Sequence, residues 1–397
     1  MTTSTPPPLI YASSTPTPTR SRIAVAVSST VIALLGMSWL MGDTFWFFER
    51  YGDREGLSLL TLIPQEVAGA IAIGCALAGF AALRSHGREF IWFGIAQALL
   101  FTVVAGDIGV LIILGYLMAL LFPVLLVAAL AWGAHRSRAA RMAVGLIVVA
   151  LPLVVVLSGA FDGEAMRNLG SGIVTGLKNN VLSHLVVAVL IAHGLTWAWA
   201  AVAERRAVRR ACVACGRGDG SGPSAARWAT PVTLLAAACA LPYGLIRLTW
   251  FTDWPIGMPD SELDAEPGIR VMGILLGLAG LAGATLTIGL LRRWGRIFPS
   301  WMPFFGGRVV PVLFPTLTAG TVGVVMAVAG RSMVQQVIYE GKPEDWLIVA
   351  ALPFPIWGPA LMLAAYAYYL RYRGRCGQCG QGGAGAGEAA GVDSVAA

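Results

Sequence analysis

Long apolar runs, each about as long as a membrane-crossing helix and separated by short polar stretches, set the pattern of this chain. A helix rising 1.5 Å per residue needs roughly 20 apolar residues to cross about 30 Å of hydrocarbon. By that length rule the pattern predicts spans over 23–42, 64–83, 90–106, 108–133, 142–160, 181–203, 229–249, 270–291, 309–330 and 347–369. The run over 90–134 is nearly continuous and would reach about 65 Å as one helix, so it must turn back once. Gly106 and Asp107 are the polar break at which it does so. The expected fold is an all-α transmembrane bundle of about ten spans, with an even number of crossings and both termini in the cytoplasm.

The polar stretches divide the chain further. Residues 1–22 are rich in Pro, Thr and Ser and are expected to form a disordered cytoplasmic tail. A first bundle of six spans occupies 23–203, a basic linker 204–228, a second bundle of four spans 229–370, and a tail 371–397 that ends in low complexity. The halves share a plan. Each opens with a span leading to a loop dense in aromatics and acids, Asp43 to Arg50 in one and Trp250 to Pro255 in the other. Each closes with a span running into arginines and a Cys-x-x-Cys-Gly knuckle. This reads as an internal duplication with parallel repeats.

Composition places the whole chain in the membrane. It is 57% hydrophobic and 12% charged, with a mean hydropathy of +0.72, whereas about a quarter of the residues of a soluble domain are charged. The net charge of +7 sits in short loops beside apolar spans, which points to topology-setting arginines and away from nucleic acid. With the N-terminus inside, loops carrying Arg84, Arg136, Arg205, Arg292 and Arg371 are cytoplasmic, and the outer loops hold most of the acids together with Arg167, Lys178, Arg270 and Arg331. The partner implied is the lipid bilayer, and the location a cell membrane crossed many times.

The knuckles carry the sharpest chemistry. Cys212-Val-Ala-Cys215-Gly216 and Cys376-Gly-Gln-Cys379-Gly380 each present two thiols on a tight turn, on the same predicted side of the membrane. Together they supply the four thiolates of a structural zinc site. Reduced thiols or two weak sites are the alternatives, because the pairs lie far apart in sequence; a disulfide is disfavoured in the cytoplasm. Cys75 and Cys239 fall within spans and read as packing residues.

Ionisable groups at membrane depth are functional candidates by default. Arg247 lies about one turn from the outer end of its span, between Tyr243 and Trp250. It reads either as an anion site, paired with Asp253 or Asp43, or as a side chain snorkelling through an aromatic belt. Glu66 suits the first turn of a helix. His184 and His193 are nine residues apart and so face opposite sides of one helix. Gly273, Gly277 and Gly280 mark a closely packed helix, and Pro311, Pro315, Pro353, Pro355 and Pro359 break or kink the last two spans. No phosphate loop, metalloprotease helix, nucleophile elbow or dinucleotide fingerprint occurs.

Residues 241–257, the segment Arg293 to Pro303 and the segment Gly306 to Pro311 resemble a group of actinobacterial multi-pass membrane proteins. The resemblance covers mainly the second half. It implies a cytoplasmic-membrane location and transfers no activity or site residue. The basic, aromatic loop 293–311 reads as an interfacial segment on the anionic inner leaflet. Three functions remain open: a non-enzymatic structural or regulatory membrane protein braced by its knuckles, a transporter with a site near Arg247, and a membrane-embedded enzyme using Asp43, Glu49 and Asp253.

Overall fold

A computed structural model describes residues 19–42, 45–48, 58–107, 142, 145, 163–218, 227–258, 260–265, 267–298, 305–340 and 345–381. The described residues are helical throughout, apart from short turns and one isolated bridge between Ile297 and Val309. In chain order the helices are α1 (Thr19–Met41), α2 (Gln65–Ala82), α3 (Arg88–Leu99), α4 (Gly163–Val208), α5 (Ala229–Leu248), α6 (Asp260–Ala265), α7 (Pro267–Gly289), α8 (Leu313–Glu340), α9 (Asp345–Ala351) and α10 (Phe354–Tyr372). A π turn, Leu100–Val104, prolongs α3.

Seven helices among the described residues are long and apolar enough to cross a membrane: α1, α2, α4, α5, α7, α8 and α10. Between 28% and 44% of the residues at their apolar centres are buried. A helix that is apolar all round and yet mostly unburied needs lipid around it. The inward faces are lined by small residues, Ala68, Ala72, Ala76 and Gly79 on α2 for example, while Leu34, Leu77, Leu245 and Leu317 point outward. Small residues let helix backbones approach where lipid removes any hydrophobic drive to associate.

Seven of the ten predicted spans correspond to these helices, and the third to α3 with its π turn. The fourth and fifth, 108–133 and 142–160, lie outside the described residues except for 142 and 145, as do Asp43 and Glu49. Two boundaries differ in a way that matters. Helix α1 starts at Thr19, so Arg20 and Arg22 are helical and not part of a tail. Helix α4 is 46 residues long, about 69 Å, of which Val181–Val208 is the crossing part. Arg167 and Lys178, expected in an outer loop, lie on its extension, because no proline interrupts the backbone ladder between 163 and 180. The prolines mostly mark helix starts: Pro353 precedes α10 and Pro315 lies in the first turn of α8, where a missing N–H costs little.

The two halves repeat one packing scheme. In the first, α1 packs on α2, α3 on α4, and α1 on α4; in the second, α5 packs on α7, α8 on α10, and α5 on α10. Each opening helix ends in a tryptophan whose indole N–H donates to the carbonyl six residues on, Trp39 to Phe45 at 2.8 Å and Trp250 to Ile256 at 3.0 Å. Each opening pair also crosses glycine on glycine. A Cβ added at Gly36 would lie 2.8 Å from the Gly69 carbonyl, and one at Gly277 would lie 3.2 Å from the Gly244 carbonyl.

The chain alternates direction within each half. Arg22, at the start of α1, reaches the carbonyls of Leu83 and Ser85 just past α2, and Glu204, near the end of α4, accepts from the Gly87 N–H at the start of α3. In the second half Ala229, opening α5, packs with Ala367, near the end of α10, and Leu290, closing α7, packs with Tyr368. The crossing of α1 and α2 offers a direct check. Gly36→Val drives a branched side chain into backbone that has no room to yield, and we expect a loss of about 1–3 kcal/mol. Gly74→Ala, where an added Cβ meets nothing within 4 Å, leaves the melting midpoint of the detergent-solubilised protein unchanged. Equal melting of the two variants would show that the crossing is not close.

Candidate functional site

The end of the bundle where α4 and α10 finish holds the four knuckle cysteines. Helix α4 unwinds through Arg210, which has a positive φ of 50°, while the Ala211 N–H turns back to the Arg206 carbonyl at 2.8 Å. Cys212 follows at once. Helix α10 ends at Tyr372 and leaves by a different route: Arg373, with φ −59° and ψ 122°, gives its N–H to the Tyr369 carbonyl, and Cys376 follows three residues on.

The two knuckles then fold alike. In each, the N–H of the first cysteine donates to the carbonyl five residues on, Cys212 to Arg217 at 2.8 Å and Cys376 to Gln381 at 3.0 Å. The glycine after the second cysteine donates back to the first, Gly216 to Cys212 at 2.7 Å and Gly380 to Cys376 at 2.9 Å. Both glycines have φ +68°, the left-handed region that glycine enters without strain. The Cys-x-x-Cys-Gly spelling encodes this turn locally.

The four sulfurs meet across the halves. Cys212 Sγ lies 3.8 Å from Cys376 Sγ, Cys215 Sγ lies 3.6 Å from Cys379 Sγ, and all four lie within 4.8 Å of one another. These distances are far above the ~2.05 Å of a disulfide. A tetrahedral zinc with Zn–S bonds of about 2.3 Å sets its sulfurs about 3.8 Å apart, which the two cross-half pairs match. The donor set is soft and sulfur only, with all four atoms within 4.8 Å of one another, and its chemistry fits zinc.

Arginines surround the cluster and bind it crosswise. Arg217, beside the first knuckle, donates to the carbonyls of Arg373, Gly374 and Gln381 at 2.8, 3.0 and 2.8 Å. Arg373 donates in return to the Cys215 carbonyl. Arg206 holds the Val213 carbonyl at 2.8 Å, and Arg375 the Gly380 carbonyl at 3.0 Å. Four thiolates around a divalent cation would leave two negative charges, which these guanidinium groups would offset. N–H groups of Cys379 and Gln378 hold the Cys376 thiol down to about 6. The Cys379 thiol is pushed up to about 12: the Gln381 N–H pulls it down, but desolvation and the neighbouring Cys215, Cys212 and Cys376 thiols outweigh that pull.

Comparison with family models, with curated proteins and with solved structures finds no match. The residues and their geometry therefore carry the functional reading.

Of the other predicted site residues, Arg247, Tyr243 and Trp250 pack together. Arg247 packs against α7, with its guanidinium 4.0 Å from the Trp250 ring and 5.4 Å from the Tyr243 ring, and it has no ion pair among the described residues. Asp253 is exposed, and Asp43 lies outside the described residues. Glu66 sits in the first turn of α2, as expected, and His193 is buried while His184 on the opposite face is not.

Two ties escaped the sequence reading. Glu204, 3% exposed, accepts from Arg22 at 3.2 Å and from the Gly87 N–H at 2.9 Å, with His86 3.9 Å away. It fastens α1, α3 and α4 together. At the opposite end Arg331, expected in a loop, is held within α8 and donates to the carbonyls of Val103, at 3.0 Å, and Gly106. It fastens the second half to the π turn of the first.

Proposed function

We propose that the chain is a non-enzymatic multi-pass protein of the cytoplasmic membrane, structural or regulatory in role, whose halves are clasped at their cytoplasmic ends by one zinc ion on Cys212, Cys215, Cys376 and Cys379. The observation that carries this reading is the meeting of the four sulfurs from two knuckles that lie 164 residues apart. The orientation rests on charge: the arginines around the knuckles, with Arg22, Arg84, Arg293 and Arg308, gather at this end of the bundle, as the positive-inside bias requires of the cytoplasmic face. The spans expected over 108–133 and 142–160, which lie outside the described residues except for 142 and 145, complete the ten of this reading and keep the alternation, since α3 finishes and α4 begins at the opposite end. The resemblance of the second half to actinobacterial multi-pass membrane proteins agrees with this location. A clasp of this kind sets how far the halves can separate at the cytoplasmic face, and it makes that freedom depend on metal and on thiol oxidation state.

Metal analysis of the purified protein tests the reading and should return one zinc per chain. Labelling of single engineered thiols in the 204–228 linker and the C-terminal tail should place both in the cytoplasm; opposite faces would end the proposal. The pH dependence has a defined sign. Zinc displaces whatever protons the thiols still hold, so affinity in a chelator competition falls as pH is lowered, by roughly a decade per pH unit for each proton released. A flat profile would mean that the thiols are not the ligands.

A further inference from the structure

Nine buried side-chain polar atoms among the described residues have no hydrogen-bond partner, and five of them lie together in the first half: Ser29 Oγ, Gln97 Oε1, Thr102 Oγ1, His193 Nε2 and Trp197 Nε1. Four of these residues are almost wholly buried, Ser29 0%, Gln97 4%, His193 1% and Trp197 0% exposed, and Thr102 is half-buried. They come from α1, from α3 with its π turn, and from α4. Ser29 lies seven residues above Arg22, and His193 eleven above Glu204, about 10 and 16 Å into the bundle from that ion pair. Ser29 and His193 lie inside the helices long and apolar enough to cross a membrane, Arg20–Met41 and Val181–Val208.

Packing links four of the five groups, and Gln97 lies five residues before Thr102 on the same helix. Ser29 Oγ and an edge carbon of the Trp197 ring both lie 3.0 Å from the position a Cβ would take at Gly79. The His193 ring stands edge-on to Phe101, with centroids 4.6 Å apart, and one turn from Trp197 on the same face of α4. Thr102 Oγ1 contacts the Cβ position of Gly194, beside His193. Gln97 spends its amide N–H on the Cys75 carbonyl at 3.2 Å and leaves its oxygen unpaired.

His193 Nδ1 is engaged by Ser28 Oγ at 3.0 Å, and that hydroxyl also reaches the Val25 carbonyl at 3.1 Å. The Nε2 of a neutral ring is left over as an acceptor in one tautomer and as an N–H donor in the other. Thr102 is unusual in its own chain. Thr30, Thr196, Thr233, Thr285 and Thr316 each return their hydroxyl to the carbonyl four residues back, the usual way a helix hides that group in lipid. In the π turn, closed by the Ala105 N–H on the Leu100 carbonyl at 3.0 Å, Thr102 keeps its hydroxyl free. Such turns recur where a helix carries a function.

The unpartnered atoms thus include an acceptor, Gln97 Oε1, three groups able to donate, the Trp197 N–H and the Ser29 and Thr102 hydroxyls, and His193 Nε2, whose role follows the tautomer; no charged side chain is among these five residues. Leaving five such groups unpaired in lipid would cancel most of the net stability of an ordinary protein. We infer that this part of the first half is a binding site for a small uncharged molecule that both donates and accepts hydrogen bonds, water being the smallest of that class. The site is separate from the cysteine cluster and stands whether or not that cluster holds zinc.

Hydroxyl-radical labelling in lipid nanodiscs tests it, because radicals formed from bulk water do not reach ring atoms buried in a bilayer, whereas bound water generates them in place. Trp197 and Phe101 should be oxidised severalfold faster than Trp39 and Trp250, which are equally buried but have their indole N–H already bonded to a carbonyl. Ser29→Ala should bring Trp197 down to the rate of those controls. Slow labelling at Trp197, combined with a stoichiometric small polar molecule released on denaturation and lost in Ser29→Ala, would support the site with an organic occupant. Slow labelling with no such molecule would overturn it.

Discussion

Cys212→Ser should empty the thiolate cluster and uncouple the two halves of the bundle. A serine hydroxyl at that position is protonated at neutral pH and hard where zinc prefers a soft anion, so three thiolates remain and the tetrahedron opens. Loss of a hydrogen bond that merely supports a ligand weakens metal binding about 10–100-fold, and loss of a ligand should exceed that. Structural zinc contributes an apparent ~10–16 kcal/mol at pH 7 in small domains. A zinc held here would join residues 164 apart in sequence, so its removal should lower the melting midpoint of the whole protein. The expected results are one zinc per chain in the parent protein, little in Cys212→Ser, and coincident melts for Cys212→Ser and the chelator-treated parent. Cys75→Ser should retain full metal, because that thiol packs within the bundle. Zinc content unaffected by Cys212→Ser would remove the clasp from the picture.

Glu204→Leu should be the most damaging single change at the other tie of this end. The carboxylate side chain is 4% exposed and the Arg22 side chain 14%, so neither is well solvated, and the pair gains more from its partners than a surface ion pair does. Removing Glu204 strands the Arg22 charge against the carbonyls of Leu83 and Ser85 and leaves the Gly87 N–H without its acceptor. Breaking a buried pair from one side costs about 3–5 kcal/mol, while replacing both partners with apolar groups costs far less. The double variant Arg22→Met with Glu204→Leu should therefore melt above Glu204→Leu alone. If the two losses simply add, Arg22 and Glu204 do not act as a pair.

How much of this was legible in the sequence differs from residue to residue. The knuckles were fully legible, because Cys-x-x-Cys-Gly is a local turn whose hydrogen bonds and left-handed glycine involve only six consecutive residues. The glycines of α7 were legible as packing residues for the same reason. Arg22 and Glu204 were not, although both are charged residues beside apolar spans. Hydropathy reads each against its own neighbours, which put Arg22 in a polar tail and Glu204 at the head of a basic linker. Their meaning lies in a contact between residues 182 apart. Arg331 was misplaced in a loop because a charged residue lowers local hydropathy, whereas the helix tolerates it by handing its guanidinium to carbonyls of the other half. The polar site around His193 was visible only as two histidines facing opposite ways.

The sequence alone determined that the chain is a helical membrane protein with two related halves, each closing in a cysteine knuckle, because segment length, hydropathy and turn spelling are properties of neighbouring residues. Only the tertiary structure decided that Cys212 meets Cys376 and Cys215 meets Cys379, that Glu204 pairs with Arg22, and that five buried polar atoms on α1, α3 with its π turn and α4 are left without partners. Those outcomes depend on how helices rotate and cross. Crossing is governed by glycines and small side chains whose fit to a distant partner leaves no periodic trace along the chain.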